Sequence, residues 1–185
     1  MASLVSERLL IRSFRKTDWQ DLYEMLSDKE VVKYEPYPVQ TKKQCQQAAC
    51  LRESSAEFYA VCLKTTGKLI GNVYLAPQSH QNWELGYVFN RAYQKKGYGT
   101  EAVQILLRWV FSEEKAQRVF AECNPENIAS WRLLERSGFY REGHLRKNIY
   151  FFFDDAGAPL WQDTFIYGLL KEDWLTWEQI IADEI

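Results

Sequence analysis

The stretch Tyr87–Thr100, YVFNRAYQKKGYGT, constrains the fold most because it changes character twice within a few residues. A short apolar run leads into a polar loop that carries Lys95, Lys96, Gly97 and Gly99, and a helical pattern begins directly afterwards. A strand, a glycine loop and a helix start in this order present backbone N–H groups and the positive helix end to an anion. The stretch alone predicts either a loop that holds a phosphorylated cofactor or a plain turn that begins a helix.

Composition limits the classes of protein to consider. Hydrophobic residues make up 46% of the 185 residues, enough for one globular domain over residues 1–185 with a full core. The formal net charge of −2 offers no basic stripe, so we expect no nucleic-acid partner. The seven tryptophans leave room for a ring-lined cleft or a subunit contact, and a homodimer stays open. The apolar runs are too short for a bilayer and the start MASLVSERLL lacks a signal-peptide pattern, so we expect a cytoplasmic protein without a membrane partner.

The cysteine and histidine pattern predicts no metal site. Four cysteines are spread along the chain without a C-x-x-C pair: Cys45, Cys50, Cys62 and Cys123. Neither His80 nor His144 has metal-ligand spacing to a cysteine. Reduced, mostly buried thiols are the expectation.

Periodicity and capping signals predict the elements of the first half. Leu4–Phe14 is predicted as a strand, and Thr17 with Gln20 forms a capping box that starts a helix. Two further helices are predicted, a short one over Asp28–Tyr34 and one that Thr41 and Gln44 cap. Three strands follow as an antiparallel meander, at Phe58–Leu63, Lys68–Leu75 and Trp83–Phe89.

The second half alternates between helices and strands. After the helix that follows Gly99, we expect a strand at Arg118–Cys123, a helix capped by Asn127, two hairpin strands at Phe139–Phe153 and Leu160–Leu170, and a terminal helix. The order predicts an α+β fold, a mixed and mainly antiparallel sheet with helices on both faces. It excludes a doubly wound nucleotide fold, and the loop is neither G-x-G-x-x-G nor a Walker loop.

Several pieces in chain order resemble one family. They are ERLLIR at 7–12, ELGY at 84–87, QKKGYGT at 94–100, Asn127 and Ser130 with ERSGF at 135–139, YREGHL at 140–145, and Trp161, Asp163 and Tyr167 with LLKEDW at 169–174. The chain resembles the GNAT superfamily of acetyl-CoA-dependent N-acetyltransferases, in the branch of ribosomal-protein N-terminal acetyltransferases. The resemblance implies a GNAT-like fold, acetyl-CoA as co-substrate, and no metal.

The resemblance also implies which residues hold acetyl-CoA. The strand residues Tyr87, Val88 and Phe89 give backbone groups to the pantetheine arm, and the Val88 N–H polarises the acetyl carbonyl. The pyrophosphate is expected on the loop, that is on Gln94, Lys95, Lys96, Gly97, Tyr98, Gly99 and Thr100. For the two lysines, a solvated surface position is an equal alternative. Asn127 is expected to bond the pantetheine arm, and it is also a strong helix N-cap.

The catalytic residues are less firmly indicated. The tyrosine that many relatives use as general acid is replaced by Leu134, and Ser130 is the substitute; its alternative is a hydroxyl that bonds its own helix turn. Glu84 is the first candidate base, acting through water, and Asp163 is the second; both have structural alternatives. His144 is a base by type, although histidines on hairpin strands are more often structural.

We expect the acceptor to be a primary amine, first of all the α-amine of a protein N-terminus. A small amine such as a polyamine, an aminoglycoside or an amino-acid derivative is the alternative. Tyr34, Tyr37 and the run Phe151–Phe153 are candidates for the acceptor pocket, with packing as the alternative. A module that binds acyl-CoA without catalysis also stays open, because of Leu134.

Overall fold

The computed structural model describes residues 3–183, and it contains the mixed sheet that the sequence predicts. The elements are β1 (Leu4–Val5), β2 (Leu9–Ser13), α1 (Trp19–Leu26), α2 (Lys42–Glu53), β3 (Phe58–Leu63), β4 (Leu69–Pro77), β5 (Asn82–Phe89), α3 (Tyr98–Ser112), β6 (Arg118–Cys123), α4 (Ile128–Arg136), β7 (Tyr140–Ile149), β8 (Gln162–Leu170) and α5 (Lys171–Asp183). The strand order is β1-β2-β3-β4-β5-β6-β8-β7. The β5–β6 pair is parallel, whereas β1–β2, β2–β3, β3–β4, β6–β8 and β7–β8 are antiparallel. The predicted α+β class is confirmed.

The chain divides into two compact units. Unit 1 runs to Ala76 and includes Leu85–Leu106, and unit 2 comprises Pro77–Glu84 and the residues from Leu107 onward. The single domain over 1–185 stays a prediction. Within the described residues, no helix combines the length and the apolarity that a membrane crossing requires.

Unit 1 buries both faces of its strands. On one face, α1 and α2 pack against the sheet in a cluster formed by Phe14, Leu22, Met25, Leu26, Val32, Cys45, Ala49, Ala60, Cys62, Leu69 and Val88. On the other face, Ile11 lies opposite Val61, and both side chains are 0% exposed. Burial on both sides explains why β3 reads as a continuous apolar run rather than an alternating one.

Unit 2 is organised around β6, which lies between the start of β5 and β8. Asn82–Glu84 run parallel to the first residues of β6, and β8 pairs with β6 along its whole length. The α5 ring of Trp174 stacks on Phe111 with centroids 5.1 Å apart. Gly138 ends α4 with φ of 88°, and a Cβ there would lie 3.2 Å from Cγ of Trp177, so glycine is required for both angle and space.

The start of α1 differs from the prediction. Thr17 does not cap the helix; instead a 3₁₀ turn covers Lys16–Asp18, and α1 follows it. The carboxylate of Asp18 accepts the Arg15 backbone N–H at 2.8 Å and pairs with both terminal nitrogens of Arg12 at 2.8 Å. This buried charge pair fixes the turn, and a capping box that relies on Thr17 cannot compete with it.

The predicted helix over Asp28–Tyr34 was wrong, because the chain forms only turns there. The Val32 N–H donates to the Asp28 carbonyl at 3.2 Å, which makes a single helical turn. Pro36 and Pro38 follow closely and prevent its extension, and one turn is too short to be stable as a helix. The other capping prediction was correct, since Thr41 and Gln44 form the capping box of α2.

Two predicted strands, Leu4–Phe14 and Phe139–Phe153, differ from the strands observed. A tight turn closed by the Ser6 N–H on the Leu9 carbonyl, at 3.0 Å, divides the predicted strand Leu4–Phe14 into β1 and β2. In the last hairpin, β7 ends at Ile149, and only an isolated bridge joins Phe153 to Pro159. The aromatic run Phe151–Phe153 therefore lies in the connection between β7 and β8.

Candidate functional site

In unit 1, the glycine loop is shaped by two left-handed residues. Lys95 has φ of 59° and Gly97 has φ of 81°, with Lys96 between them. When consecutive residues alternate between left-handed and right-handed conformations, their backbone N–H groups point to the same side. This is the concave arrangement that binds anions. The Gln94 amide donates to the Phe89 carbonyl at 3.0 Å and ties the loop to the end of β5. Gly97 is therefore needed for its backbone angle.

The N–H groups at the start of α3 are available to a ligand. The first helical hydrogen bond runs from the Glu101 N–H to the Gly97 carbonyl at 3.0 Å. The preceding N–H groups, including those of Tyr98, Gly99 and Thr100, have no carbonyl one turn earlier within the helix. Gly99 is the second residue of α3, and without a Cβ it leaves room for a ligand to approach the backbone closely. The loop fits a pyrophosphate in both shape and donor chemistry.

An ion pair from the N-terminal hairpin holds this loop. Arg8 pairs with Glu101 in the first turn of α3 at 2.6 Å, and its guanidinium also donates to the Lys96 carbonyl at 3.0 Å. The same guanidinium lies 4.6 Å from the centroid of the Tyr98 ring, and Ser6 donates to Glu101 at 2.6 Å. Neither Arg8 nor Glu101 was among the predicted site residues. The only sequence signal for such a contact was that Glu101 is an acidic residue in the first turn of the helix.

The two loop lysines differ in their surroundings. Lys96 donates from Nζ to the Ala92 carbonyl at 3.0 Å and lies 5.5 Å from the centroid of the Tyr93 ring. Its charge is therefore held along the loop. Lys95 is exposed. Both stay predictions as pyrophosphate ligands.

In unit 2, Asn127 and Ser130 lie together at the start of α4. The Asn127 side-chain oxygen accepts the Ser130 backbone N–H at 3.2 Å, so Asn127 is the N-cap that the sequence predicted. This bond uses the oxygen of the amide and leaves its NH₂ group outside the cap. The Ser130 side chain is in hydrogen-bonding contact with the thiol of Cys123, the last residue of β6. Burial raises the pKa of Cys123 to about 11, so this sulfur carries its proton at neutral pH.

The position of the missing family tyrosine is part of the core. Leu134 is 1% exposed. A different tyrosine, Tyr167 on β8, donates its hydroxyl to Glu135 at 3.0 Å, and burial raises its pKa to about 12. Since this hydroxyl is engaged with a carboxylate, Tyr167 does not replace Ser130 as the candidate acid.

The two predicted bases of unit 2 have different environments. Glu84 is half-buried on β5 and accepts the Gln78 side-chain amide at 3.2 Å. Asp163 on β8 accepts the Lys147 backbone N–H at 2.8 Å and faces His144 Nε2 at 2.7 Å. Both contacts lower the pKa of Asp163, and the hydrogen bond from the Lys147 backbone has the larger effect. A carboxylate with a lowered pKa is a weak proton acceptor, so Asp163 suits holding a cation better than removing a proton.

Unit 1 also contains a cluster of polar side chains that the sequence did not predict. Tyr37 packs against the apolar cluster that contains Val88 and is hydrogen-bonded to Glu35 and Arg52. Burial raises the pKa of Glu35 to about 7, and the Tyr37 bond and the Arg52 charge oppose this rise only partly. The Arg52 guanidinium lies 5.0 Å from the centroid of the Phe58 ring. The predicted link between Tyr37 and the acceptor stays a prediction, now with a carboxyl group beside it.

The unit membership of the predicted residues is clear. Unit 1 contains Tyr87, Val88, Phe89, Gln94, Lys95, Lys96, Gly97, Tyr98, Gly99 and Thr100. Unit 2 contains Glu84, Asn127, Ser130 and Asp163. All four cysteines are free thiols, as predicted. Unit 1 thus supplies a loop with the backbone geometry that suits an anion, and unit 2 supplies a capped helix with a hydroxyl beside a sulfur.

Known proteins resemble this chain in sequence and in fold. Residues 8–140 match the family model of the acetyltransferase (GNAT) domain. The Bacillus subtilis (strain 168) protein "Uncharacterized N-acetyltransferase YnaD" is 37% identical over 92% of this chain and 98% of its own length. The crystal structure of a GNAT-family acetyltransferase from Bacillus anthracis is 34% identical, with a TM-score of 0.84 over 92% of this chain and 99% of that chain.

Two more distant structures share the fold alone. A ribosomal-protein-S5-alanine acetyltransferase from Vibrio fischeri is 21% identical, with a TM-score of 0.76 over 94% of this chain and 99% of that one. A spermidine N-acetyltransferase from Vibrio cholerae, solved with CoA and spermine, is 19% identical, with a TM-score of 0.75 over 92% of this chain and 99% of that one. GNAT enzymes take the acetyl group from acetyl-CoA and act on amines. The family match and the full-length relatives together make this chain a member of the GNAT superfamily of N-acetyltransferases.

Proposed function

We propose that this protein transfers the acetyl group of acetyl-CoA to a primary amine, most favourably the α-amine of a protein N-terminus, by direct attack in a ternary complex. The observation that carries the proposal is the loop at 94–100. Its left-handed residues and the unpaired first turn of α3 form a cradle for a pyrophosphate. Acetyl-CoA supplies an acetyl thioester as the electrophile when it is bound.

The pantetheine arm is proposed to follow the end of β5. The parallel pairing with β6 covers Asn82–Glu84, and β5 continues to Phe89. Backbone groups of Tyr87–Phe89 bind the arm, and the Val88 N–H polarises the acetyl carbonyl. Loss of such a donor typically costs about two to three orders of magnitude in rate. The Asn127 NH₂ group, which its capping bond does not use, donates to the arm.

Ser130 is proposed to support the departing sulfur. A hydroxyl has one proton to donate and two lone pairs to accept with. The Ser130 side chain opposes the rise in the pKa of Cys123, which is the effect of a hydroxyl that donates to sulfur. The same donor is proposed to turn to the thiolate that leaves. A free thiol has a pKa of about 8.5, so one such hydrogen bond is sufficient help near neutral pH.

The α-amine acceptor rests on the sequence motifs of the ribosomal-protein branch and on chemistry. Its pKa of about 7.7–8.0 leaves part of it neutral at pH 7, whereas a lysine at about 10.4 is almost fully protonated. A small polyamine is the second candidate. The observation that favours it is Glu35, a carboxyl group beside Tyr37, which packs against the cluster that contains Val88.

The test is CoA release in the presence of a panel of peptides with free N-termini and of small amines, spermine included, with acetyl-CoA affinity measured by calorimetry. We expect turnover on at least one class of amine. Gly99→Val should weaken acetyl-CoA binding by at least about tenfold, roughly 1.4 kcal/mol. Gly143→Val is the matched control, because a Cβ at Gly143 meets nothing closer than 3.7 Å.

Two outcomes contradict the proposal. Tight acetyl-CoA binding with no turnover on any amine makes the protein a non-catalytic acyl-CoA-binding module. Unchanged acetyl-CoA affinity in Gly99→Val removes the loop from the cofactor site.

A further inference from the structure

An exposed histidine–aspartate pair lies on the hairpin of unit 2. His144 on β7 and Asp163 on β8 approach to 2.7 Å between Nε2 and Oδ2, and their side chains are 47% and 35% exposed. The second carboxylate oxygen accepts the Lys147 backbone N–H at 2.8 Å, so the carboxylate is held at both oxygens. The imidazole is also packed edge-on against the Phe165 ring, with centroids 5.0 Å apart. The ring is therefore held in orientation while about half of the His144 side chain stays exposed.

The partner of the imidazole decides which nitrogen carries its proton. The contacts to Asp163 lower the pKa of that carboxyl, so it is ionised at neutral pH and can only accept. Nε2 must then be the N–H donor of the 2.7 Å bond. In the neutral ring, Nδ1 keeps a lone pair and can take up a proton.

The register of unit 2 places this pair in line with Ser130. Cys123 on β6 lies opposite Phe165 on β8, and Phe165 lies opposite His144 on β7. Directly paired residues share one face of a sheet, so the three side chains form a row across neighbouring strands. Two strand spacings make the row about 10 Å long between backbones. The Cys123 end of the row is the thiol that contacts Ser130.

We propose that His144 is the general base that deprotonates the acceptor amine, and that Asp163 is the positioning residue that holds its tautomer. The proposal rests on the acetyl-transfer function proposed above, which brings the thioester sulfur to Ser130. An amine that attacks this thioester lies between the two ends of the row. One water molecule can complete the distance to Nδ1.

The protons balance as follows. Nδ1 of His144 removes one proton from the ammonium group and releases it to solvent. The nitrogen lone pair then forms the N–C bond, and the C–S bond breaks with its electron pair on sulfur. The second amine proton is lost as the amide forms, and the thiolate gains one through the Ser130 hydroxyl. The products are the amide, CoA as its thiol, and one proton in solution.

The charges around His144 are mixed in sign. Asp163 on β8 is the acidic neighbour, and Arg146 on β7 is close enough to lower the pKa of Asp163. Arg141, also on β7, lies over the Phe165 ring at 4.5 Å from its centroid. Asp163 is the charged group in direct contact with the imidazole, 2.7 Å from Nε2.

The test is the pH dependence of kcat/KM on the best amine of the panel, for the wild type and for His144→Asn. At pH 6.5 the variant should lose about 10²-fold, since general-base catalysis contributes about 10²–10⁴-fold. Above about pH 9 the loss should shrink to within about threefold, because an α-amine is then neutral without help. His80→Asn, at the other histidine, is the matched control and should match the wild type at every pH. Acetyl-CoA affinity should be unchanged in all three.

Two further variants separate a chemical role from a structural one. His144→Ala should recover activity when imidazole is added to the assay, and a packing role has no such rescue. Asp163→Asn should lower kcat/KM by about tenfold at pH 6.5 with its melting temperature little changed, because an amide can donate to Nε2 and favour the wrong tautomer.

The proposal is overturned by full activity of His144→Asn at pH 6.5, or by a loss that is equal at every pH and not rescued by imidazole. It is also overturned if Glu84→Gln abolishes the pH dependence while His144→Asn keeps it. Absence of turnover in the wild type refutes the acetyl-transfer function instead, so the two failures are distinguishable.

Discussion

Glu35 makes the stability of this protein depend on pH in a way that one substitution removes. Burial raises the pKa of its carboxyl from 4.5 to about 7 in the folded chain. The folded state therefore favours the protonated form. The corresponding stability is fully present below the unfolded pKa of 4.5, and it is lost as the pH rises through about 7.

The magnitude follows from the two pKa values. At 1.36 kcal/mol per pH unit, the rise from 4.5 to about 7 corresponds to about 3 kcal/mol in total. About 2.5 kcal/mol of this is lost between pH 5 and pH 8. This is an upper value, because the carboxyl group keeps partial contact with water.

Glu35→Gln keeps the shape and the hydrogen bond to Tyr37 but has no charge to bury. Near pH 5 the variant and the wild type should have similar melting temperatures. At pH 8 the variant should be the more stable by about 5–10 °C, at roughly 2–4 °C per kcal/mol for a chain of this size. Thermal unfolding followed by circular dichroism at both pH values measures the difference.

Glu30→Gln is the matched control, since Glu30 is exposed in the same connection between α1 and α2. Its difference from the wild type should be the same at both pH values. An equally constant difference for Glu35→Gln would refute the reasoning, because a buried carboxylate would then carry no penalty.

The remaining predictions concern the cofactor and the sulfur. Ser130→Ala should lower kcat by about tenfold or more with acetyl-CoA affinity nearly unchanged, because its hydroxyl acts on charge that develops during reaction. Steady-state kinetics with calorimetry separates the two quantities, and an unchanged kcat leaves Ser130 a structural residue. Arg8→Met should raise the acetyl-CoA Kd by about tenfold, roughly 1.4 kcal/mol, because it frees Glu101 and the Lys96 carbonyl. Arg136→Met is the exposed control, and equal affinities in both variants would confine the Arg8 contact to stability.

The sequence predicted those features that neighbouring residues determine. The Thr41 capping box, the glycine loop and the apolar run of β3 each depend on local pattern, and all three are present. The predicted helix over Asp28–Tyr34 is absent because the two prolines that follow leave room for only one turn, which is too short to be stable. The predicted cap at Thr17 is absent because Arg12, a residue of the preceding strand, forms an ion pair with Asp18.

The parts of the site that sequence could not predict are pairs distant along the chain. Glu35 and Arg52 lie in different segments, and neither has a pattern that points to the other. His144 and Asp163 meet because β7 shifts register between Arg141 and Gly143, which brings His144 opposite Phe165. Such a bulge changes which residues face each other without leaving a strong mark in the sequence.

The contacts of Ser6 and Arg8 with Glu101 have a consequence for the order of folding. They join residues 95 and 93 positions apart, so none of them can form until more than half of the chain has been synthesised. Contacts of such long range are slow to form, because a large loop must close first. The fixed arrangement of the loop at 94–100 therefore depends on contacts that close over 93 and 95 residues. A ligand that binds only the ordered loop would thereby distinguish completed molecules from those still folding.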